Sequence, residues 1–216
     1  GSCLLAWLSA RSAGGRMVLR LEDLDPDRCG QGYCDQVMRD LEWLGLDWDG
    51  GPVYQSRRTD IYAQAFRELE EKGLLYPCFC TRAERLAASA PHRSDGAAVY
   101  SGRCRHLSQA EREELSAQRR PAWRVRVPER EVSFTDLLQG EYRENLARDC
   151  GDFILRRSDG VFAYQLAVVV DDGAMGVTQV VRGSDLLSST PRQLWLQEQL
   201  GLPHPDHGHL PLLLAP

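Results

Sequence analysis

Cys78 and Cys80 stand two apart in the run YPCFC, and Cys104 closes the run YSGRC beyond a polar loop. Thiols at alternate positions near a strand end project to one side, and a loop can carry a third back to meet them. Three sulfurs with one further donor make a closed tetrahedral set, the pattern of a structural zinc site; a catalytic zinc keeps one position open. The next cysteine is Cys150, so the fourth donor must be another residue type. Tyr100 qualifies through its phenolate, which a zinc ion favours by lowering the phenol's pKa. His92 and His106 also qualify on spacing, and the plain alternative is three thiols buried in a small core.

Other groups with chemical potential are acids and cations. The stretch RLEDLD holds Glu22, Asp23 and Asp25, VVVDDGA holds Asp171 and Asp172, and VVRGSD holds Arg182 near Asp185. Taken alone, these read as solvated strand-end acids, helix-end acids and a surface ion pair between Arg182 and Asp185. Tyr164 in FAYQLA reads as a core aromatic. Arg103, Arg105, Arg119 and Arg120 either solubilise their segment or form a phosphate-facing patch, the second only if they share a face.

The elements that must position these groups follow from pattern. The run 16–25 reads as a strand ending in acids, and 32–46 as a helix with Val37, Leu41 and Leu44 on its apolar face, closed by Gly45. A second helix spans 59–74, with Thr59 as N-cap and Gly73 at its end. Strands alternating with helices predict an α/β protein with a parallel sheet. Residues 76–150 break that rhythm with the cysteines, a charged helix near 108–118 and the alternating strand 122–127. This reads as an α+β insertion between a first part at 1–75 and a second at 151–216, where 176–187 is strand and turn and Thr190-Pro191 opens a helix.

Bulk properties narrow the class. A chain of 216 residues, 43% hydrophobic and 26% charged, can bury a real core. No apolar run reaches the ~20 residues needed to span a bilayer, so a cytoplasmic protein is expected. Seven cysteines, an odd number, favour reduced thiols or metal ligation over a disulfide framework. A net charge of −5 argues against a broadly basic nucleic-acid surface but permits a local basic patch. Lys72 is the only lysine; arginine is the better fork for phosphate and carboxylate.

The runs RLEDLDPDR (20–28), LGLDWDGGPVYQSRRTDIY (44–62), YPCFCTR (76–82) and VVVDDGAMGVTQVVRGSDLLSSTPRQ (168–193) resemble the catalytic core of class I glutamyl-tRNA synthetases. The resemblance is nearest to their truncated paralogues, which attach glutamate to queuosine in tRNA(Asp). It covers nearly the whole chain in motif order. It implies a Rossmann-type catalytic domain split by a zinc-bearing insertion that contacts nucleic acid. The paralogues bind zinc through Cys-x-Cys followed by Tyr-x-x-x-Cys, so the resemblance assigns the ion to Cys78, Cys80, Tyr100 and Cys104. Full-length glutamyl enzymes more typically finish with Cys-x-His. Cys104 is followed by Arg105 and then His106, which keeps that alternative open.

The resemblance also implies substrates: L-glutamate, ATP with Mg2+, and tRNA(Asp) containing queuosine, handled by a monomer. Glu22 would take the substrate ammonium, Arg182 the side-chain carboxylate, and Tyr164 would donate its hydroxyl in the same pocket; Asp171-Asp172 would line the active site. No side chain is expected to do covalent work, because class I activation rests on positioning and charge stabilisation. The chain opens at GSCLLAWLSAR where the family's HIGH-type ATP signature is expected, and stops at HLPLLLAP where its KMSKS-type loop is expected. The residues in hand are therefore expected not to activate an amino acid efficiently. Two other readings stand beside the first: a catalytic fragment of an ordinary glutamyl-tRNA synthetase, and a non-catalytic zinc-stabilised nucleic-acid binding module.

Overall fold

The computed structural model describes residues 1–25, 29–81, 90–91 and 98–212. An opening helix, α1 (Ser2–Ser12), leads into the short strand β1 (Arg20–Leu21), and α2 (Gln31–Trp43) into β2 (Val53–Tyr54). β1 and β2 pair in parallel. The strand expected over 16–25 shrinks to two residues because only Val53 and Tyr54 lie alongside it in register. Upstream, single bonds from Asp49 to the Met17 carbonyl and from Val53 to the Leu19 carbonyl continue the contact.

Helix α2 forms where the spacing predicts, and Gly45 follows its C-cap with φ +71. Its expected apolar face, however, is not a core face. Val37 and Leu44 are exposed at 44% and 58%, and Cys34 is the one buried residue of the helix. The helix after it behaves as expected: α3 (Thr59–Glu71) buries Tyr62, Ala65, Phe66 and Leu69. Thr59 is its first residue and not its cap, a place taken by Arg58 without a side-chain bond.

Strand β3 (Leu75–Cys78) enters the middle segment, which also holds the pair β4 (Ala90–Pro91) and β5 (Ala98–Val99). There follow α4 (Gln109–Gln118), β6 (Ala122–Val125), the hairpin of β7 (Glu131–Asp136) and β8 (Gly140–Asn145), and β9 (Phe153–Arg156). α4 starts on a capping box: the Ser108 side chain accepts from the Glu111 amide while Glu111 reaches back to the Ser108 amide. β3, β6 and β9 form an antiparallel sheet, so β9 of the third segment pairs directly with the middle one. The chain closes with α5 (Tyr164–Met175), β10 (Gln179–Gly183), α6 (Thr190–Leu200) and β11 (Asp206–Leu210); β10 and β11 are parallel. The architecture is thus mixed: two parallel pairs accompany a three-stranded antiparallel sheet and antiparallel hairpins.

Burial explains why the middle segment does not stand apart. Val125, Val127, Val132, Leu146 and Cys150 share one core with Tyr62 and Leu69 of α3, Leu166 to Val170 of α5, and Leu194 to Leu196 of α6. A second, smaller core gathers Tyr76, Cys78, Phe79, Tyr100 and Cys104. Among the described residues no helix is long and apolar enough to cross a membrane.

The two acids near the C-terminal end of α5, Asp171 and Asp172, are structural anchors. Asp171 is fully buried and accepts from Gln55 at 2.9 Å, Arg58 Nε at 2.7 Å and the Tyr62 hydroxyl at 2.8 Å. Asp172 takes Arg20 Nη1 at 2.6 Å. One turn of α5 therefore fixes β1, the turn after β2, and α3. Acids at a helix C-terminus face the negative end of its dipole, and here arginines offset that cost.

Candidate functional site

Arg182 and His209 are register partners in the parallel pair of β10 and β11, so their side chains emerge on the same side. Arg182 Nε donates to His209 Nε2 at 3.0 Å. Its Nη2 reaches Thr190 Oγ1 at 2.8 Å, Gln193 Oε1 at 2.9 Å and the Leu186 carbonyl at 3.3 Å. Its Nη1 meets the Tyr164 hydroxyl at 3.3 Å. Tyr164 is the first residue of α5, and Thr190 and Gln193 lie in the first turn of α6. Two helix starts and two strands therefore converge on one guanidinium.

Every one of these partners is neutral or a carbonyl. Among the described residues no carboxylate lies within salt-bridge distance of Arg182, and the ion pair with Asp185 expected from sequence does not form. Burial lowers the Arg182 pKa from its ordinary value and raises that of Tyr164. The arrangement is a cation held in place by hydrogen bonds, with its counter-charge unfilled.

Glu22 follows β1 directly and is 43% exposed at its side chain. Arg20 Nη2 approaches it at 3.4 Å while pairing more closely with Asp172. Of its sequence rivals, Asp23 is occupied by the Ser56 amide and hydroxyl, and Asp25 by Arg157. Thr190, Gln193, His209 and Asp136 had no signal in the sequence reading. The one available clue was the Thr-Pro pair, whose hydroxyl serves Arg182 and not the helix cap, which is Ser189.

The cysteines also converge. The sulfurs of Cys78, Cys80 and Cys104 lie within 4.8 Å of one another. The Tyr100 hydroxyl is 3.5 Å from both Cys78 and Cys80, and Cys80 is 3.5 Å from Cys104. A tetrahedron with bonds of about 2.3 Å to sulfur and about 2.0 Å to oxygen has edges of roughly 3.5–3.8 Å, so the four atoms fit one zinc ion. His106 is exposed and contributes no atom to the cluster; His92 lies outside the described residues. A hydrogen bond from Cys104, against the cost of burial, holds the Cys78 thiol well below its ordinary pKa. The Cys78 bond and burial push Cys104 up, and burial pushes Tyr100 up. Arg124 stacks on the Tyr100 ring, 3.8 Å from its centroid, and donates to Cys78 at 3.3 Å. In the suggested basic patch, Arg105 turns inward to Asp152 and the Val127 carbonyl.

Comparison with known proteins gives this geometry a family. Residues 2–216 match the catalytic domain of tRNA synthetases class I (E and Q). The chain belongs to that class of ligases. Within it, a relative from Nitratidesulfovibrio vulgaris is 54% identical over 222 residues, covering 98% of this chain and 68% of its own length. One from Neisseria meningitidis serogroup C (strain FAM18) is 51% identical, covering 99% and 72%. One from Symbiobacterium thermophilum is 50% identical, covering 100% and 70%. All three are named glutamyl-Q tRNA(Asp) synthetase, and the chain is a member of that family. Among solved structures, a glutamate tRNA ligase from Elizabethkingia meningosepticum in complex with its amino acid superposes with TM-score 0.83 at 29% identity. The glutamate-tRNA synthetase of Elizabethkingia anophelis does so with 0.85 at 30%. The chain spans 46% and 47% of those two proteins and 99% and 100% of itself is covered.

The histidines beside Arg182 give stability a pH dependence. Burial, then the charge of Arg182, lowers His207 from 6.5 to about 4. An unfolded histidine takes its proton near 6.5, so between about 6.5 and 4 the unfolded state binds more protons and stability falls as pH drops. Urea unfolding is expected to show a loss of about 2 kcal/mol from this residue between pH 7 and pH 5, removed in His207→Gln. Identical pH slopes in variant and wild type would take His207 out of the account.

Proposed function

We propose that this chain carries the glutamate-activating site of a glutamyl-Q tRNA(Asp) synthetase. The α-carboxylate oxygen of glutamate attacks the α-phosphorus of ATP, forming glutamyl-adenylate and releasing pyrophosphate. A hydroxyl of the cyclopentenediol ring of queuosine, in the anticodon of tRNA(Asp), then takes the glutamyl group and AMP leaves. Glu22 holds the substrate ammonium. Arg182 pairs with the side-chain carboxylate, and Tyr164, which accepts from Arg182, turns its own proton to the same carboxylate. The observation that carries this reading is the Arg182 guanidinium, held by neutral acceptors with no carboxylate of the described residues within salt-bridge distance. A substrate that brings its own carboxylate supplies what is lacking.

The same reading gives one Zn2+ to Cys78, Cys80, Cys104 and Tyr100, tying the loop that carries Tyr100 to β3. Four anionic donors leave the site net negative, and Arg124 offsets part of that charge. The ion supplies folding energy there and takes no part in acyl transfer.

Two experiments test these assignments. The full-length protein incubated with ATP and radiolabelled glutamate is expected to label tRNA(Asp) only when it contains queuosine, and to exchange pyrophosphate without any tRNA. Exchange that appears only after tRNA is added would favour an ordinary glutamyl-tRNA synthetase. For the metal, elemental analysis of protein purified without chelator is expected to give one zinc per chain, lost in Cys80→Ser and weakened in Tyr100→Phe. Tyr100→Phe with unchanged zinc affinity would hand the fourth position to another donor.

A further inference from the structure

The hairpin of β7 and β8 ends on a carboxylate that the reaction does not touch. Asp136 is 2% exposed. Its Oδ1 accepts three backbone amides, from His209, Leu138 and Gln139, at 2.9–3.0 Å. Its Oδ2 lies 2.5 Å from His209 Nδ1. On the far side of the same ring, His209 Nε2 receives Arg182 Nε at 3.0 Å. The guanidinium can only donate, so Nε2 must be the acceptor and Nδ1 must carry the proton toward Asp136. The three groups form a line in which each proton position is dictated by the next.

We propose that Asp136 and His209 are positioning residues for Arg182: the carboxylate fixes the histidine tautomer, and the histidine fixes the rotation of the guanidinium. With Nε held by His209 and Nη2 held by Thr190 and Gln193, Nη1 and the Tyr164 hydroxyl form the remaining donor edge. That edge is the one a substrate carboxylate meets, so specificity for an acidic side chain depends on a residue of the middle segment. The inference rests on the reading of Arg182 as the substrate's cation.

The test uses the near-isosteric change Asp136→Asn. The three backbone amides keep an oxygen at the Oδ1 place, so the new NH2 occupies the Oδ2 place and donates to Nδ1. The tautomer then reverses, and Nε2–H faces Arg182 Nε–H, two donors in opposition. Expected is a rise in the KM for glutamate in pyrophosphate exchange on the order of ten- to a hundredfold, with kcat and the KM for ATP little changed. Ring 15N shifts of His209 should pass from the Nδ1–H to the Nε2–H pattern. His209→Gln offers Arg182 a carbonyl that needs no tautomer, so Asp136→Asn added to it should cost little further.

A reversed tautomer with unaltered glutamate KM overturns the proposal. So do penalties for Asp136→Asn and His209→Gln that simply add, which mark the line as a strap for the hairpin alone. Arg182→Gln separates the two levels. If it leaves the glutamate KM normal, the substrate reading fails and takes this inference with it. If it raises the KM while Asp136→Asn does not, only the positioning role is lost.

Discussion

A largely buried guanidinium held by neutral acceptors, with no salt bridge among the described residues, constrains everything around it. Arg182 can be retained there only if most of its N–H groups find acceptors, since an unsatisfied buried donor costs about 1–3 kcal/mol and more for a charged one. The acceptors come from four directions: the start of α5, the start of α6, the turn before it, and β11. Their convergence sets how β10 must lie against both helices, and it explains why the Thr190 hydroxyl is turned away from capping its own helix. Stability is sacrificed to keep a positive site open, the usual relation between a binding pocket and the fold that carries it.

The contrast with the other arginines of this face is instructive. Arg20 and Arg58 are partly buried but are met by Asp172 and Asp171, and they tie β1 and the turn after β2 to α5. Asp171 accepts three side-chain donors and Asp172 is paired with Arg20 at 2.6 Å, so both acids are engaged in the framework. Asp171-Asp172 and Arg182 come from the same stretch of sequence yet differ in their partners: the acids meet arginines, and Arg182 meets neutral acceptors. Glu22 is held only at 3.4 Å by Arg20 and is exposed, which is what the proposed role of meeting an ammonium requires.

Sequence made some of this legible and not the rest, for physical reasons. The cysteine spacing reports local geometry, because Cys78 ends β3 and Cys80 follows two residues on in the same run, close enough for both sulfurs to meet Tyr100 and Cys104. The glycines after α2 and α3 likewise mark ends that depend on backbone conformation alone. Helical periodicity located α2 but misjudged what it faces: a stripe through Val37 and Leu44 states that a side is apolar, not that a partner exists for it. The separation of residues 76–150 reflected a change of rhythm in the chain, while their side chains enter the core shared with α3, α5 and α6. The surroundings of Arg182 were least visible. Asp136, Thr190, Gln193 and His209 come from distant parts of the chain and are ordinary residue types individually; only the register of β10 with β11 and the packing of the hairpin make them one network.

The central claim is that Arg182 gives this site its preference for an acidic side chain, and the direct measurement is discrimination between glutamate and glutamine. Glutamine would face the fixed donor edge with a neutral amide, which has one acceptor where two are wanted. The ratio of kcat/KM for glutamate over glutamine in pyrophosphate exchange is therefore predicted to fall tens- to several-hundred-fold in Arg182→Gln. Thermal unfolding of the same variant should remain cooperative, which separates lost recognition from lost structure. A cooperatively folded Arg182→Gln protein that prefers glutamate by the wild-type margin would contradict the account.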